Sequence, residues 1–223
     1  MKLFKYMFLG LAFLLVACGS KGTDGGAGAT TFTDERDGNV YKAVDIHGQT
    51  WMAENLRYLP SVNGNKNDID VPTYHVYDYD GSDVEEAKAT DAYAETGVLY
   101  NLLAALEACP EGWHLPTEAE WNSAIDNIDP VYGGSSGRKL RAKGVWEGEY
   151  PGTDDYGFAA IPGGYLDFNK FMKIDESAYW WSATEGEDWL GKLEGHYYSV
   201  NGESTNVYDD KAKGERAYSV RCI

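Results

Sequence analysis

Residues 108–121 read ACPEGWHLPTEAEW, and this stretch holds the end of one helix, a cysteine and the start of a second helix. The preceding residues, 100–108, have helical composition with a broad leucine and alanine face, and the Cys-Pro pair ends that helix. Thr117 and Glu120 form a capping box, in which each side chain bonds the backbone amide of the other residue. The sequence therefore predicts a first helix over 100–108 and a second over 117–128.

Short strands precede and follow these helices. Asp37-Gly38 is a hairpin signal, and Val40, Val44 and Ile46 then lie on one face of a predicted strand. A short turn leads to another strand over 50–53. After the second helix, further strands are predicted at 157–162, 179–184, 196–200, 206–208 and 217–223. Two helices followed by a mostly antiparallel sheet define an α+β fold.

Residues 60–96 show no sustained period and are rich in asparagine, aspartate and tyrosine. This pattern predicts a long irregular insertion, and ordered loops of such length are either functional or loose. Asp78, Asp80 and Asp83 form a run of hard oxygen ligands within it, but the register of an EF-hand calcium loop is not met. We interpret the run as a solvated acidic loop.

Residues 1–18 have the pattern of a bacterial export signal. Two lysines precede an apolar segment, residues 6–16, which is far shorter than the roughly 20 residues of a transmembrane helix. The run Leu-Val-Ala before Cys18 resembles a lipobox, so we expect cleavage before this cysteine and its acylation. The alternative is an ordinary secretory signal with an incidental cysteine. Residues 19–31 have the composition of a flexible tether, which leaves one domain over 32–223.

Cys109 and Cys222 are the two cysteines that remain once Cys18 carries lipid. In an extracytoplasmic compartment this count favours a disulfide. A catalytic thiol and a metal pair are the alternatives, although a metal site needs three or four ligands.

The domain is strongly acidic. Without the signal, 17 basic residues face 36 acidic ones, so the net charge is near −19. This field disfavours nucleic acid and anionic lipid surfaces, which bind through clustered lysine and arginine. The acidity also fits a protein that is simply kept soluble. The 17 tyrosines and seven tryptophans suit wet recognition surfaces and sugar stacking as well as a core.

Six motifs along the domain resemble the Fibrobacter succinogenes major paralogous domain, a family found on lipoproteins of anaerobic bacteria. They occur in the family's order and cover roughly residues 32–223. The first motif runs from Asp37-Gly38 through QTWMAENL at 49–56. The others are ACPEGWHLPT at 108–117, GTDDYGF at 152–158, PGGY at 162–165, YWWSATE at 179–185 and SVRC at 219–222. The resemblance implies a lipoprotein domain and carries no established biochemical role.

The segment LPTEAEW at 115–121 resembles the start of the second helix in formylglycine-generating sulfatase-modifying enzymes, whose core is a variant of the C-type lectin fold. C-type lectin-like domains also carry a disulfide from the end of the first helix to the last strand, as Cys109 and Cys222 would form. The resemblance implies a C-type lectin-like fold. The sequence lacks the Glu-Pro-Asn and Trp-Asn-Asp triplets of calcium-dependent lectins, so their calcium-dependent sugar binding is not carried over.

The candidate ligand site is the aromatic strand and the loop after it. Side chains alternate between the faces of a strand, so we expect one of Trp180 and Trp181 in the core and the other at the surface. The candidate ligand-binding residues are Trp180, Trp181, Glu185, Trp189, Tyr197 and Tyr198. Asp154 and Asp155 are candidate calcium ligands, but the glycines beside them favour a turn capped by their carboxylates.

Catalytic signatures are weak. The sulfatase-modifying enzymes use a reactive cysteine pair late in the chain, whereas the two cysteines here occupy the positions of the structural bridge. No nucleophile elbow or comparable Ser-His-Asp context is present in the sequence. The four histidines are isolated, and we interpret His114 as a structural histidine. We therefore predict a protein without catalytic residues.

These observations predict an acylated outer-membrane or cell-surface lipoprotein with one binding or adhesion domain, whose ligand is a glycan or a surface protein. One alternative is a structural coat component without a small ligand. Another is an inactive or altered relative of the sulfatase-modifying enzymes. No cofactor is called for, and calcium is the one ion to test.

Overall fold

The computed structural model describes residues 30–130 and 134–223. Cys18 and most of the predicted tether therefore lie outside the described residues, and the first strand begins at Thr30, inside the range assigned to the tether. The described helices are α1 (Val84–Lys88), α2 (Asp91–Thr96), α3 (Leu102–Leu106), α4 (Glu118–Ile128) and α5 (Ser136–Leu140). The described strands are β1 (Thr30–Thr33), β2 (Val40–Ile46), β3 (Gln49–Met52), β4 (Tyr74–His75), β5 (Leu99–Tyr100), β6 (Gly163–Asp167), β7 (Lys170–Ile174), β8 (Ser177–Glu187), β9 (Leu193–Asn201) and β10 (Tyr208–Lys213).

The strands form small antiparallel sheets, which confirms the α+β class. Two sheets have three strands, in the orders β1-β2-β3 and β10-β9-β8. Two further sheets are the pairs β4-β5 and β6-β7. No helix in the described part of the chain is long and apolar enough to cross a bilayer.

The second helix forms as predicted. The backbone N–H of Thr117 donates to Glu120 at 2.8 Å, and that of Glu120 donates to the Thr117 hydroxyl at 3.3 Å. The helix buries Trp121, Ala124 and Ile128 on one face. Neighbouring residues decide where this helix begins, because the capping box bonds two backbone amides that would otherwise have no partner in the first turn.

The first helix is shorter than predicted. Tyr100 belongs to strand β5 and pairs with Tyr74, so it cannot open the helix. The Asn101 side chain caps α3 instead, accepting from the backbone N–H of Ala104 at 2.9 Å. Asparagine is a strong N-cap residue, and the helix begins at Leu102 for that reason.

Several strand predictions were wrong in place or extent. Residues 157–162 form no strand, and only Ala160 makes an isolated bridge, to Arg141. The strand predicted at 206–208 lies at 208–213, and residues 217–219 make isolated bridges rather than a continuous strand. The β6-β7 hairpin was not predicted.

The remaining corrections concern irregular segments. The insertion at 60–96 contains α1, α2 and β4, so it is not wholly irregular. Helix α5 begins within a glycine- and serine-rich run. Val40 is exposed at the first position of β2, whereas Val44 and Ile46 are buried.

At Trp180 and Trp181 strand β8 is covered on both faces, which corrects the expectation for these two tryptophans. Trp180 packs in one apolar cluster, with its ring centroid 6.0 Å from that of Trp121. Trp181 packs in the other cluster, 4.5 Å from the ring of Tyr218. The side chains alternate as predicted, but both faces are covered at these two positions, so both indoles are buried.

Cys109 and Cys222 form a disulfide that joins the segment after α3 to the end of the chain, with their Cα atoms 5.8 Å apart. The backbones of His114 and Ile223 exchange two hydrogen bonds of 2.9 Å beside it. The N–H of Met52 in β3 donates to the Cys222 carbonyl at 3.0 Å. The C-terminal residues therefore tie the helical segment to the first sheet.

Candidate functional site

The turn of the β6-β7 hairpin carries an exposed aromatic residue in a strained conformation. Phe168 and Asn169 have φ values of 48° and 57°, the pattern of a type I′ turn. Asparagine tolerates this region, but a bulky residue there is an outlier. Phe168 is also 76% exposed. Phe168 therefore adds little to the stability of the free protein, because its backbone is strained and its ring is unburied. Backbone outliers of this kind cluster at functional sites.

Neighbouring segments hold this turn in place. Asp167 accepts from the N–H of Phe168 at 2.9 Å and pairs with the Arg216 guanidinium at 2.8 Å. Asn67 and Asn169 exchange reciprocal bonds, in which each backbone N–H donates to the other side-chain oxygen at 2.8 and 2.7 Å. The long loop before β4 is thereby fastened to the hairpin tip.

The turn between β8 and β9 presents two more apolar side chains. The Asp188 carboxylate accepts from the N–H groups of Leu190 and Lys192 at 2.8 and 2.9 Å. The bond from Lys192 is the main cause that lowers the pKa of Asp188. This closed turn leaves Trp189 and Leu190 89% and 62% exposed. Both side chains therefore face solvent on a turn that is held by its own hydrogen bonds.

A cleft of about 580 Å³ lies between these turns and the loop before β4. Its volume falls in the range of small-ligand sites, roughly 300–1,000 Å³. Apolar carbons alternate around it with amide, carboxylate and ammonium groups. The lining residues are Asn67, Asp68, Ile69, Asp167, Phe168, Asn169, Asp188, Leu190, Lys192, Lys213 and Glu215. We call this space the tip cleft.

The predicted ligand-binding residues do not come together. Trp180, Trp181 and Tyr198 are buried. The Trp180 N–H donates to Asn55 at 3.0 Å and the Trp181 N–H to the Tyr100 carbonyl at 2.7 Å, so their polar edges are used inside the protein. Glu185 is exposed on β8 and Tyr197 is half-buried. None of the predicted set lines the tip cleft, and Trp189 alone belongs to a turn that does, between the lining residues Asp188 and Leu190.

Sequence reasoning missed Phe168, Leu190 and the loop residues Asn67 and Asp68. Phe-Asn carries no glycine, so the usual signal of a two-residue hairpin turn was absent. Exposed leucine and phenylalanine look like core residues in a sequence. Their exposure follows from the tertiary anchors described above.

Asp154 acts as a turn residue. It has a φ of 46°, and its carboxylate accepts from the N–H of Ala159 at 2.8 Å. Asp155 is exposed, and its backbone N–H donates to the Lys139 carbonyl at 2.9 Å. Within residues 30–130 and 134–223, no group of three or more histidine, cysteine and acidic side chains is placed to hold a metal ion.

A second polar feature surrounds Asn55 and Arg221, both from the predicted family motifs. The Arg221 guanidinium is buried and donates to Asn55 at 2.9 Å and to the Ala159 carbonyl at 3.1 Å, and also to the Phe158 carbonyl. Burial lowers its pKa to about 9. A cleft of about 350 Å³ lies beside this network. Because protein carbonyls take up the guanidinium, the network holds the 158–159 turn against Trp180.

The histidines lie apart from the tip cleft. His75 is buried between the Gly64 carbonyl, at 2.7 Å, and the Thr73 hydroxyl, at 3.0 Å. Burial lowers its pKa to about 4, although the bond to Gly64 opposes the shift. His114 is more than half exposed and bonds Glu120 at 3.0 Å.

A further cleft, of about 780 Å³, includes Pro130 and Gly134 beside residues 131–133, which lie outside the described residues.

The fold and the tip cleft define a small α+β domain with a mixed apolar and polar surface site. The chain belongs to the Fibrobacter succinogenes major domain family, whose model matches residues 44–223. The match includes QTWMAENL and the five later motifs quoted above, whereas Asp37-Gly38 precedes it. No curated protein and no solved structure matches the chain.

Proposed function

We propose that this protein is a lipid-anchored surface protein that binds glycan in the tip cleft. One observation carries the proposal. Within the described residues, the three large apolar side chains with the greatest exposure are those of Trp189, Phe168 and Leu190; Phe168 and Leu190 line this cleft, and Trp189 directly precedes Leu190 in the same turn. Scattered single apolar residues are normal on a surface, whereas a contiguous group marks a binding site.

The cleft also supplies the polar half of sugar recognition. A sugar ring offers an apolar C–H face to an aromatic ring and hydroxyls to donors and acceptors around its edge. Asp68, Lys192 and Lys213 line the cleft and offer charged acceptors and donors for such an edge. The acidic charge of the domain favours a neutral ligand over an anionic one.

The strain at Phe168 supports the same reading. Glycine would occupy a φ of 48° without steric cost. The ring of Phe168 is 76% exposed, so it makes few stabilising contacts in the free protein. A phenylalanine at this position is explained if its ring makes contacts in a complex. Ligand binding would supply them.

A C-type lectin-like fold and an acyl anchor at Cys18 are parts of this proposal. The disulfide from the end of the helical segment to the end of the chain fits the lectin-like arrangement. The lipobox supports outer-membrane or cell-surface attachment, so the cleft would meet glycans or neighbouring surface proteins. No catalytic step is assigned.

The test is a glycan array with the purified full-length protein, run once with calcium and once with chelator. Saturable binding to neutral glycans, equal in both conditions, is expected. Phe168→Gly should weaken binding by about tenfold, a typical cost of losing one aromatic stacking contact, and Leu190→Ala should weaken it by a smaller factor. Tyr208→Ala is the matched control, because Tyr208 is exposed and does not line the tip cleft.

Two other results would count against the proposal. Loss of binding in chelator would place the ligand on a calcium ion, and the search would move to aspartates such as Asp154 and Asp155. Silence on the array in both conditions would overturn glycan binding and favour a coat component or a protein partner. Mass spectrometry of the mature N-terminus tests acylation of Cys18 separately.

A further inference from the structure

The tip cleft has a neighbour that shares its wall. A second cleft, of about 500 Å³, lies on the other side of the loop before β4. Asn67 and Asp68 line both spaces. The second cleft is further lined by Val62, Asn63, Lys66, Val71, Thr73, Asp80, Gly81 and Ser82. We call it the loop cleft.

The mixed surface of the tip cleft continues into the loop cleft. Val71 is 49% exposed there and offers an apolar face. Lys66, Asp80 and Ser82 supply charged and hydroxyl groups around it. The two clefts therefore present the same combination of apolar carbon and polar edge, one after the other.

The shared wall is rigid. Asn101 is buried and donates to the carbonyls of Asp68 and Val71 at 2.9 and 2.7 Å. Its side-chain oxygen accepts from the N–H groups of Thr73 and Ala104 at 3.0 and 2.9 Å. One asparagine thus uses its full hydrogen-bonding capacity to hold the loop. A site held in this way pays little ordering cost on binding.

Asp68 is the residue of this wall that is best placed to meet a ligand. The Asn67 side chain already bonds Asn169 and the Glu215 carbonyl. Asp68 is exposed, and one of its carboxylate oxygens accepts from the Asp70 N–H at 2.8 Å. Within the described residues, no side-chain hydrogen bond uses the other oxygen. That oxygen can accept from a hydroxyl lying between the two clefts.

We infer that the ligand is a neutral oligosaccharide chain that runs through both clefts, with Asp68 between two sugar subsites. This inference rests on the proposed glycan function and adds the class of glycan. A single terminal sugar would fill the tip cleft alone. A chain would also place a unit against Val71 and Lys66, and each added unit within the clefts adds contacts without a second loss of overall translational freedom.

The test measures affinity against chain length by calorimetry on the full-length protein. The probes are four series of neutral oligosaccharides, built of glucose, mannose, xylose or galactose, each from the disaccharide to the hexasaccharide. For a series that binds, the affinity should rise at least about tenfold with length and then level off once both clefts are filled. Val71→Ser and Lys66→Ala should weaken the hexasaccharide by about fivefold and leave the disaccharide unchanged.

Leu190→Ser in the tip cleft is the matched variant, and it should weaken short and long ligands alike. These substitutions are at surface positions, and circular dichroism checks that each variant folds. If disaccharides bind but affinity does not rise with length, or if both loop-cleft variants bind the hexasaccharide normally, the chain inference fails while glycan binding stands. If no series binds, the proposed function and the inference both fail.

Discussion

Removing the Cys109–Cys222 disulfide should cost this domain a large part of its stability. The bridge joins residues 113 positions apart, and the loop that it closes holds α4, α5 and strands β6 to β10. In the chain-entropy model, closing a loop of this size lowers the entropy of the unfolded state by an amount equivalent to about 5 kcal/mol at room temperature. We expect Cys109→Ala combined with Cys222→Ala to lower the free energy of unfolding by roughly that amount.

Urea denaturation of the oxidised protein, the reduced protein and the double variant measures this effect. Reduction should destabilise the native protein about as much as the double substitution, and reductant should leave the double variant unchanged. The urea dependence should steepen in both cases, because an unfolded chain without the bridge exposes more surface. A loss below about 1 kcal/mol would refute the argument, since small native domains usually lose about 2–5 kcal/mol.

Three further predictions concern single side chains. Thr117→Ala removes the hydroxyl that caps α4 and should cost about 1 kcal/mol in thermal or urea unfolding, with Thr90→Ala as a comparable cap in α2. The pKa of His75 is about 4 in the folded protein, against about 6.5 in the unfolded chain, so only the unfolded chain takes up a proton between these values. The stability that depends on neutral His75 is therefore fully present above pH 6.5 and is lost as the pH falls toward 4. About 3 kcal/mol should disappear across that window, and His75→Asn should flatten the pH dependence of unfolding there. Arg221→Lys should lower stability by about 2 kcal/mol or more, because one ammonium cannot reach Asn55 and two carbonyls together; wild-type stability in the variant would contradict this role.

Local signals were the ones that sequence analysis interpreted well. The capping box at Thr117 and Glu120 depends on residues three apart, and α4 formed where it was predicted. The first helix began late because Tyr100 pairs with Tyr74, a partner 26 positions away that no local pattern reveals. Partners distant in sequence decided where the boundaries fall.

In the candidate site too, sequence analysis found local features and missed those that depend on distant contacts. The aromatic strand and Trp189 were singled out by composition, but the burial of Trp180 and Trp181 depends on the two clusters that cover β8. Phe168 gave no turn signal. Its positive φ is maintained by Asp167, Arg216 and Asn67, which come from three separate parts of the chain.

The sequence by itself determined the α+β class, the capped second helix, the family motifs and the two cysteines available to pair. These features follow from composition, short spacing and residue count, which need no knowledge of distant contacts. The tertiary structure alone decided which aromatic side chains reach solvent and which loops enclose a cleft. Exposure depends on what packs against each face, and that is settled only when segments far apart in the chain come together.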